Sequence, residues 1–469
     1  MPPEPAPAPA TVLERTSHLA FPVATVFAWH ERPGALERLL PPWEPVRVLE
    51  RTGGIRDGGR VVLRIGGPIG MRWVARHVDF EQDRQFADEQ VEGPFARWHH
   101  LHRFEPDGAG ACLMTDRIEY RPPLGAVGAA GDPLVVRPRI DRMLGYRHEL
   151  LRRDLESHGP YADRPRLRIA VSGATGLIGR ALVAFLTTGG HTVVRLVRRK
   201  SHGDEIECNH EKGRVDRAKL EGLDAVIHLA GEPIAARWTR DRRRKIRESR
   251  AIGTRFLAEA LAWLERPPKV LVSASAIGIY GNRGDTPLTE DSSLDGPQDF
   301  LTDVARQWEA GTEPARAAGI RTVLPRFGIV LSPAGGALAR MLTPFRVGVG
   351  GPLGSGRQYM SWIALDDLIG GIHHALMTET LAGPVNLTAP APVTNATFAA
   401  TLGRVLERPA LLPVPAAALK LAYGEMAETT ILASARVLPE RLLGSGYAFR
   451  YPELEGALRF VLGRPARSR

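Results

Sequence analysis

Cysteine is nearly absent from this 469-residue chain, which has only Cys112 and Cys208. Two thiols so far apart exclude a disulfide framework and a cysteine zinc site, and they suit a reducing cytoplasm. Long apolar runs are missing too. Nothing approaches the roughly 18 consecutive apolar residues that a membrane span needs, so no membrane partner is expected. Residues 1–10 lack both a basic n-region and an apolar h-region. Their Pro/Ala composition predicts a disordered leader rather than a signal peptide.

What is present is ordinary for a globular protein: 43% hydrophobic and 24% charged residues, with a net charge of +10. The length predicts two or three domains. The densest basic run, Arg237 to Arg250, carries eight basic residues against two acidic ones. It has no accompanying helix-turn-helix, zinc-finger or RNA-binding aromatic signature. A solvated helix beside an anionic cofactor or substrate is therefore expected, and no nucleic acid.

Residues 11–158 read as one unit. A strand over Leu13–Phe21 is followed by one or two short helices between Ala24 and Leu40. Six strand-like runs come next: Val46–Arg51, Arg60–Ile65, Met71–Phe80, Arg84–Val91, Arg97–Phe104 and Cys112–Tyr120. A long helix closes the unit, with Ile140, Met143, Leu144, Leu151 and Leu155 on its apolar stripe. On the strand Trp98–Arg103, His100 and His102 share a face and His99 points away. Two imidazoles lack the further ligands a metal needs, so no metal site is expected. Residues 159–166, with Gly159-Pro160 and Pro165, read as a linker.

The next unit opens on a buried strand, Leu167–Val171. A glycine turn at Gly173, Gly176 and Gly179 follows, then a helix through Ala181–Leu186. This is a dinucleotide cradle, in which glycines admit a pyrophosphate and a helix N-terminus offers it unpaired N–H groups. The second strand, Thr192–Val197, ends in Arg198-Arg199-Lys200, where NAD-selective cradles place a carboxylate. A cation there suits a 2′-phosphate, so NADP(H) is expected, with Arg198 meeting that phosphate. Leu223–Gly231 is another buried strand, and its small Ala230-Gly231 end lets the backbone pass a cofactor's ribose. A helix over Lys245–Glu265 and a strand from Lys269 ending in hydroxyls complete a βα alternation, which implies a doubly wound parallel sheet.

These residues resemble the atypical epimerase-family proteins of the extended short-chain dehydrogenase/reductases, which are nucleoside-diphosphate-sugar epimerase-like. The resemblance runs over about 167–463. It is carried by Ser172–Gly179, His228–Ile234, Ser273–Gly281, Pro325–Val330, Gly348–Ile363, Asp366-Asp367 and Gly383–Pro390. The stretch from Leu412-Pro-Val-Pro415 to Tyr451-Pro-Glu-Leu454 looks like that family's small C-terminal helical segment. The resemblance implies a Rossmann domain over 167–410, a helical segment over 411–463 and a tail over 464–469. It further implies that Thr175, Leu177 and Ile178 join the three glycines around the pyrophosphate. Ser273 would face the nicotinamide, and Pro325 would begin the segment leading into the substrate site. A homodimer is a family implication as well. The element order of 11–158, with Phe21–Phe27 and Val91–Phe95, resembles the α+β helix-grip fold of the SRPBCC (START-like) superfamily. That implies an apolar small molecule held between sheet and long helix.

The class's Tyr-x-x-x-Lys pair is missing. Where the resemblance places it, near residue 300, stand Phe300 and Val304, and a phenyl ring cannot exchange a proton. The class's structural asparagine, counted back from Gly253, becomes Arg250. Its serine falls on Ala276, beside Ser275, and the histidine before the paired aspartates is Ala364. Candidate acids for an NADP(H)-dependent oxidoreductase or epimerase-like enzyme are then Ser275, Tyr280 (expected on a loop) and Arg250. Arg357, in Gly354-Ser-Gly356-Arg357, is a candidate clamp for an anionic small-molecule substrate. The competing expectation is a non-catalytic NADP(H)-responsive sensor or scaffold.

Overall fold

The structure is a computed structural model that describes residues 10–67, 69–123 and 125–465. The expected leader, apart from Ala10, and the expected tail, apart from Arg464 and Pro465, lie outside the described residues. The chain divides into two units. The bulk of the first runs to Asp163, and the second is built from Arg164–Leu186 and His191–Leu462. Among the described residues, no helix is long and apolar enough to cross a membrane.

The first unit contains β1 (Thr11–Leu19), α1 (Val23–Glu31), α2 (Ala35–Leu39), β2 (Val46–Thr52), β3 (Arg60–Ile65) and β4 (Met71–Glu81). It continues with β5 (Gln85–Glu92), β6 (Arg97–Pro106), β7 (Cys112–Arg121), α3 (Gly125–Gly131) and α4 (Val136–His158). The strands form one antiparallel sheet in the order β1-β7-β6-β5-β4-β3-β2. Strict alternation of buried and exposed residues along β6 and β7 turns one face toward α4. α4 buries Ile140, Leu144, Leu151 and Leu155, as its stripe predicts, but also His148 and Asp154. Asp154 is matched by Arg38 of α2 through two bonds of 2.8 and 2.7 Å, both side chains being buried.

The second unit begins with β8 (Arg168–Ser172), α5 (Leu177–Thr188), β9 (Thr192–Val197), β10 (Ile206–Asn209), β11 (Arg214–Val215) and α6 (Arg217–Leu220). Next come β12 (Ala225–His228), α7 (Arg240–Arg247), α8 (Gly253–Ala262), β13 (Val270–Ser273), β14 (Ser275–Ala276) and β15 (Pro287–Leu288). They are followed by α9 (Phe300–Ala310), α10 (Glu313–Ala317), β16 (Arg321–Phe327), β17 (Ile329–Leu331) and α11 (Gly336–Arg346). β18 (Tyr359–Met360), β19 (Trp362–Ala364), α12 (Leu365–Met377), β20 (Gly383–Leu387) and α13 (Asn395–Leu406) precede α14 (Ala416–Tyr423), α15 (Glu440–Gly444) and α16 (Leu454–Val461).

The main sheet runs β11-β10-β9-β8-β12-β13-β16-β14, with β20 also on β16. All its pairs are parallel except β10–β11. The chain builds outward from β8 to β10, then returns to β12 on the other side of β8. That reversal opens a crevice at the carboxyl ends of β8 and β12, where doubly wound sheets bind ligands. α7 and α8 are joined by a π-helical segment, Glu248–Ile252. The helix expected over Lys245–Glu265 starts earlier, at Arg240, because the Thr239 hydroxyl caps the Arg242 amide at 3.2 Å. α11, α13 and α16 pack around Trp362 and Phe398 in one apolar core.

Candidate functional site

The glycine turn after β8 combines one left-handed residue with one very close backbone approach. Gly173 has φ +66°, and a Cβ on it would stand 2.8 Å from the Leu229 carbonyl. A Cβ on Gly179 would meet the Gly173 oxygen at 2.2 Å, so that glycine lets α5 close on the turn. Gly176 is different. It is exposed, and its Cβ would approach only the Gly173 oxygen, at 3.3 Å. Thr175 and Gly176 thus leave an open face at the start of α5, whose first turn carries no acidic residue. Leu177 lies against Gly335, so its side chain packs and only its amide is available to a ligand.

A cleft of about 550 Å³ opens over this turn. Of the predicted cofactor residues, Gly173, Thr175, Gly176, Arg198, Ala230 and Gly231 line it. Arg199, from the same basic strand end, lines it as well, and sequence reasoning missed Arg195, Cys208, His210 and Ser249 on its walls. Arg195 and Arg199 carried the same signal as Arg198, a basic end to β9. Arg198 is 69% exposed and stands 3.8 Å from Glu211, while Arg199 is bonded to Glu205 at 2.7 Å. The Arg198 carbonyl is pinned by Asn209 Nδ2 at 2.6 Å.

Beneath the cleft, the Ser172 hydroxyl accepts the amide hydrogens of Leu229 and Ala230 at 3.0 and 3.2 Å. Its own proton is then donated to His228 Nδ1 at 2.7 Å. His228 Nε2 therefore carries the ring hydrogen, buried and without a hydrogen-bond partner among the described residues. Burial, and secondarily His210, push the His228 pKa down to about 4, so the ring is neutral. A cradle open at Gly176, a basic rim and an unmatched buried donor together fit a dinucleotide.

Arg250 stands in the π segment. It donates to the Glu232 carbonyl at 2.9 Å, lies 4.9 Å over the Trp308 ring and rests against Gly231. Burial lowers its pKa to about 10, which leaves it a cation at neutral pH. It brings a fixed charge to the β12 turn rather than an exchangeable proton.

The β13–β16 region is organised around Glu309 of α9. Ser275 donates to Glu309 at 2.6 Å, and Arg326 grips the same carboxylate at 2.8 and 2.9 Å. Arg326 also donates to the Tyr280 oxygen at 2.8 Å, and Tyr280 donates to Asn386 Oδ1 at 2.8 Å. The expectation that Tyr280 points from a loop is corrected. Tyr280 is 1% exposed in a 3-10 turn, and its hydroxyl is occupied in both directions. Burial raises its pKa. Ser273 is fully buried, with a hydroxyl unpartnered among the described residues, in register with His228. Pro325 is buried on β16 opposite Val385, and its neighbour Arg326 makes the polar contacts.

Phe300 and Val304 pack with Ile246 in an apolar cluster. Arg357 is exposed beyond the turn at Gly354 and Gly356 (φ +59° and +70°) and is not among the cleft-lining residues. Asp367 accepts the amides of Arg450 and Tyr451 at 2.7 and 3.0 Å, which ties the C-terminal segment to α12. The basic run is largely matched by carboxylates: Arg243 by Glu425, Arg247 by Asp303, Arg242 by Glu232, and Arg244 and Lys245 by Asp241.

In the first unit, His100 and His102 do share the inward face of β6, and both are buried. Asp88 of β5 lies opposite His100 in the sheet register.

Three family profiles match the chain. The NAD dependent epimerase/dehydratase family covers residues 169–387, polyketide cyclase / dehydrase and lipid transport covers 19–144, and a domain of unknown function covers 414–461. An epimerase family protein of Mycobacterium bovis is 42% identical over 299 residues, 63% of this chain and 98% of that protein. The solved nucleoside-diphosphate sugar epimerase from Corynebacterium glutamicum aligns with a TM-score of 0.80 at 33% identity, over 96% of this chain and 90% of that one. The human epimerase family protein SDR39U1, solved with NADPH, gives a TM-score of 0.58 at 35% identity, over 63% of this chain and 99% of that one.

Proposed function

The chain belongs to the NAD dependent epimerase/dehydratase family, and from that premise we propose that it is an NADP(H)-dependent oxidoreductase acting on a small molecule without a Tyr-x-x-x-Lys pair. The carrying observation is the basic end of the cleft, where Arg195, Arg198 and Arg199 gather beyond the cradle. The NADPH in the human family member supports the same choice of cofactor. The cradle amides hold the pyrophosphate, and Arg198 holds the 2′-phosphate. Bound there, the dinucleotide supplies or accepts a hydride.

Arg250 sets a permanent positive charge at the β12 turn, where it stabilises a developing alkoxide. Ser275 accepts the substrate proton as it passes its own to Glu309, and the reverse order protonates a carbonyl. Tyr280 takes no part. The first unit, matched by a lipid-transport profile, holds an apolar small molecule in this reading.

A second reading, cofactor binding without turnover, is favoured by the apolar packing of Phe300 and Val304. Titration of the full chain with NADPH and NADH, followed by NADPH oxidation against a panel of carbonyl compounds, separates the two. Tight NADPH binding with turnover lost in Ser275→Ala is the expected result. Tight binding with no turnover supports the sensor, and no binding at millimolar NADPH overturns both.

A further inference from the structure

The inward face of the first unit's sheet holds a polar cluster that the cofactor chemistry does not use. His100 and His102 are two residues apart on β6, so both imidazoles project from one face. Asp88 reaches the same place from β5, as the cross-strand neighbour of His100. One ligand atom from each of the three lies within 4.8 Å of the others. Two paired strands hold all three donors, so their spacing is fixed by the sheet and not by a mobile loop. His100 is 1% exposed, with Asp88 Oδ1 3.4 Å from its Nδ1 and Asp116 Oδ2 3.7 Å from its Nε2, so that Nε2 faces a carboxylate but makes no hydrogen bond among the described residues.

A second orphan nitrogen stands nearby. His30 bonds the Val26 carbonyl through Nδ1 at 2.9 Å, which places the ring hydrogen there. Its Nε2 is thus a bare lone pair, buried and unpartnered among the described residues, on a ring 6.1 Å from that of His102. Surrounding bonds orient His102 and Asp88. Asp116 accepts from His102 Nδ1 at 2.6 Å and leaves Nε2 free to ligate. The same carboxylate accepts from His148 Nε2 at 3.2 Å, and Trp98 Nε1 donates to Asp88 Oδ2 at 3.2 Å. A carboxylate behind a ligating imidazole is the usual way a metal-site ring is fixed and made more basic.

We propose that Asp88, His100 and His102 form a divalent transition-metal site in the first unit, with an open coordination position toward His30. Two imidazoles and one carboxylate favour zinc and its first-row neighbours over magnesium or calcium, which prefer all-oxygen sets. The set has the three protein ligands of a site that keeps a position for water or an exogenous ligand.

The test uses the full chain, stripped with a chelator and titrated with Co²⁺ and Zn²⁺. One saturable equivalent per chain is expected, with Co²⁺ giving visible d–d absorption. Asp88→Asn, which keeps the shape and the Trp98 contact, should weaken binding by at least about tenfold, and Asp116→Asn by ~10–100-fold as a positioning residue. X-ray absorption on the zinc-loaded wild type should show two or three imidazole nitrogens and a carboxylate oxygen. This readout decides the matter even if the variants fold poorly. No saturable uptake by the wild type below millimolar metal overturns the site, in favour of a proton held between the carboxylates. A first coordination sphere without imidazole, or equal uptake by Asp88→Asn, overturns it as adventitious surface binding.

Discussion

The Tyr280 hydroxyl donates to Asn386 across 106 residues of sequence, while Arg326 donates to the same oxygen. A phenol held this way is part of the packing between the β14 turn and β20. Tyr280→Phe leaves the Asn386 oxygen and an Arg326 donor unmatched, at a cost of ~1–3 kcal/mol. Chemical denaturation should show that loss, while NADPH affinity stays at the wild-type level. An unchanged denaturation midpoint would contradict the assignment.

Arg198→Ala should separate the two dinucleotides. Removing a charge-assisted contact to a 2′-phosphate weakens NADPH by about tenfold, equivalent to ~1.4 kcal/mol, and leaves NADH nearly untouched. Fluorescence titrations with both cofactors measure the ratio. Equal weakening of the two would place Arg198 on the shared pyrophosphate instead.

The glycines of the cradle should fail in different ways. Gly176→Ala adds a methyl to the open face, so the fold stays near wild-type stability while NADPH binding falls by about tenfold or more. Gly179→Ala drives a methyl into the Gly173 carbonyl and should lower the thermal midpoint sharply, by several kcal/mol of stability. A thermal melt and a cofactor titration of each variant suffice. Matching behaviour in the two assays would sink the distinction.

The imidazole of His228 gives a pH dependence with a definite sign. Its folded pKa, about 4, lies below the ordinary 6.5. Between those values the unfolded chain binds the extra proton, so stability is fully present above pH 6.5 and is lost as pH falls toward 4. This one ring accounts for up to ~3 kcal/mol over that window. The ring's NMR signal should titrate near pH 4, and His228→Asn should flatten the acid limb of the stability profile. A midpoint above pH 6 would show that the ring is not sealed beneath the cleft.

Much of this was legible in sequence because it is local. The glycine turn, the basic end of β9 and the small residues after β12 each announce themselves within one βα unit, and the structure brings them to a single cleft. The alternation in β6 placed His100 and His102 on one face for the same reason. What escaped depends on register and distant pairing. Asp88 reaches the histidines only because β5 and β6 pair as they do. Asn386 and Arg326 decide the state of Tyr280 from other strands. Arg357 carried the right chemistry for a clamp, but the two positive-φ glycines before it turn it to the surface.

The π segment at Glu248–Ile252 acts as a ruler with one extra graduation. The Gly253 amide reaches back to the Glu248 carbonyl, five residues away rather than four. Every offset counted across it from Gly253 is therefore displaced by one step around the helix axis. Counting places Arg250 at the position facing the β12 turn, yet it is Ser249 whose hydroxyl receives the Glu232 amide, at 3.0 Å, and lines the cleft. Two neighbouring side chains of this stretch meet the same turn: a hydroxyl that fastens its backbone and a guanidinium laid along Gly231.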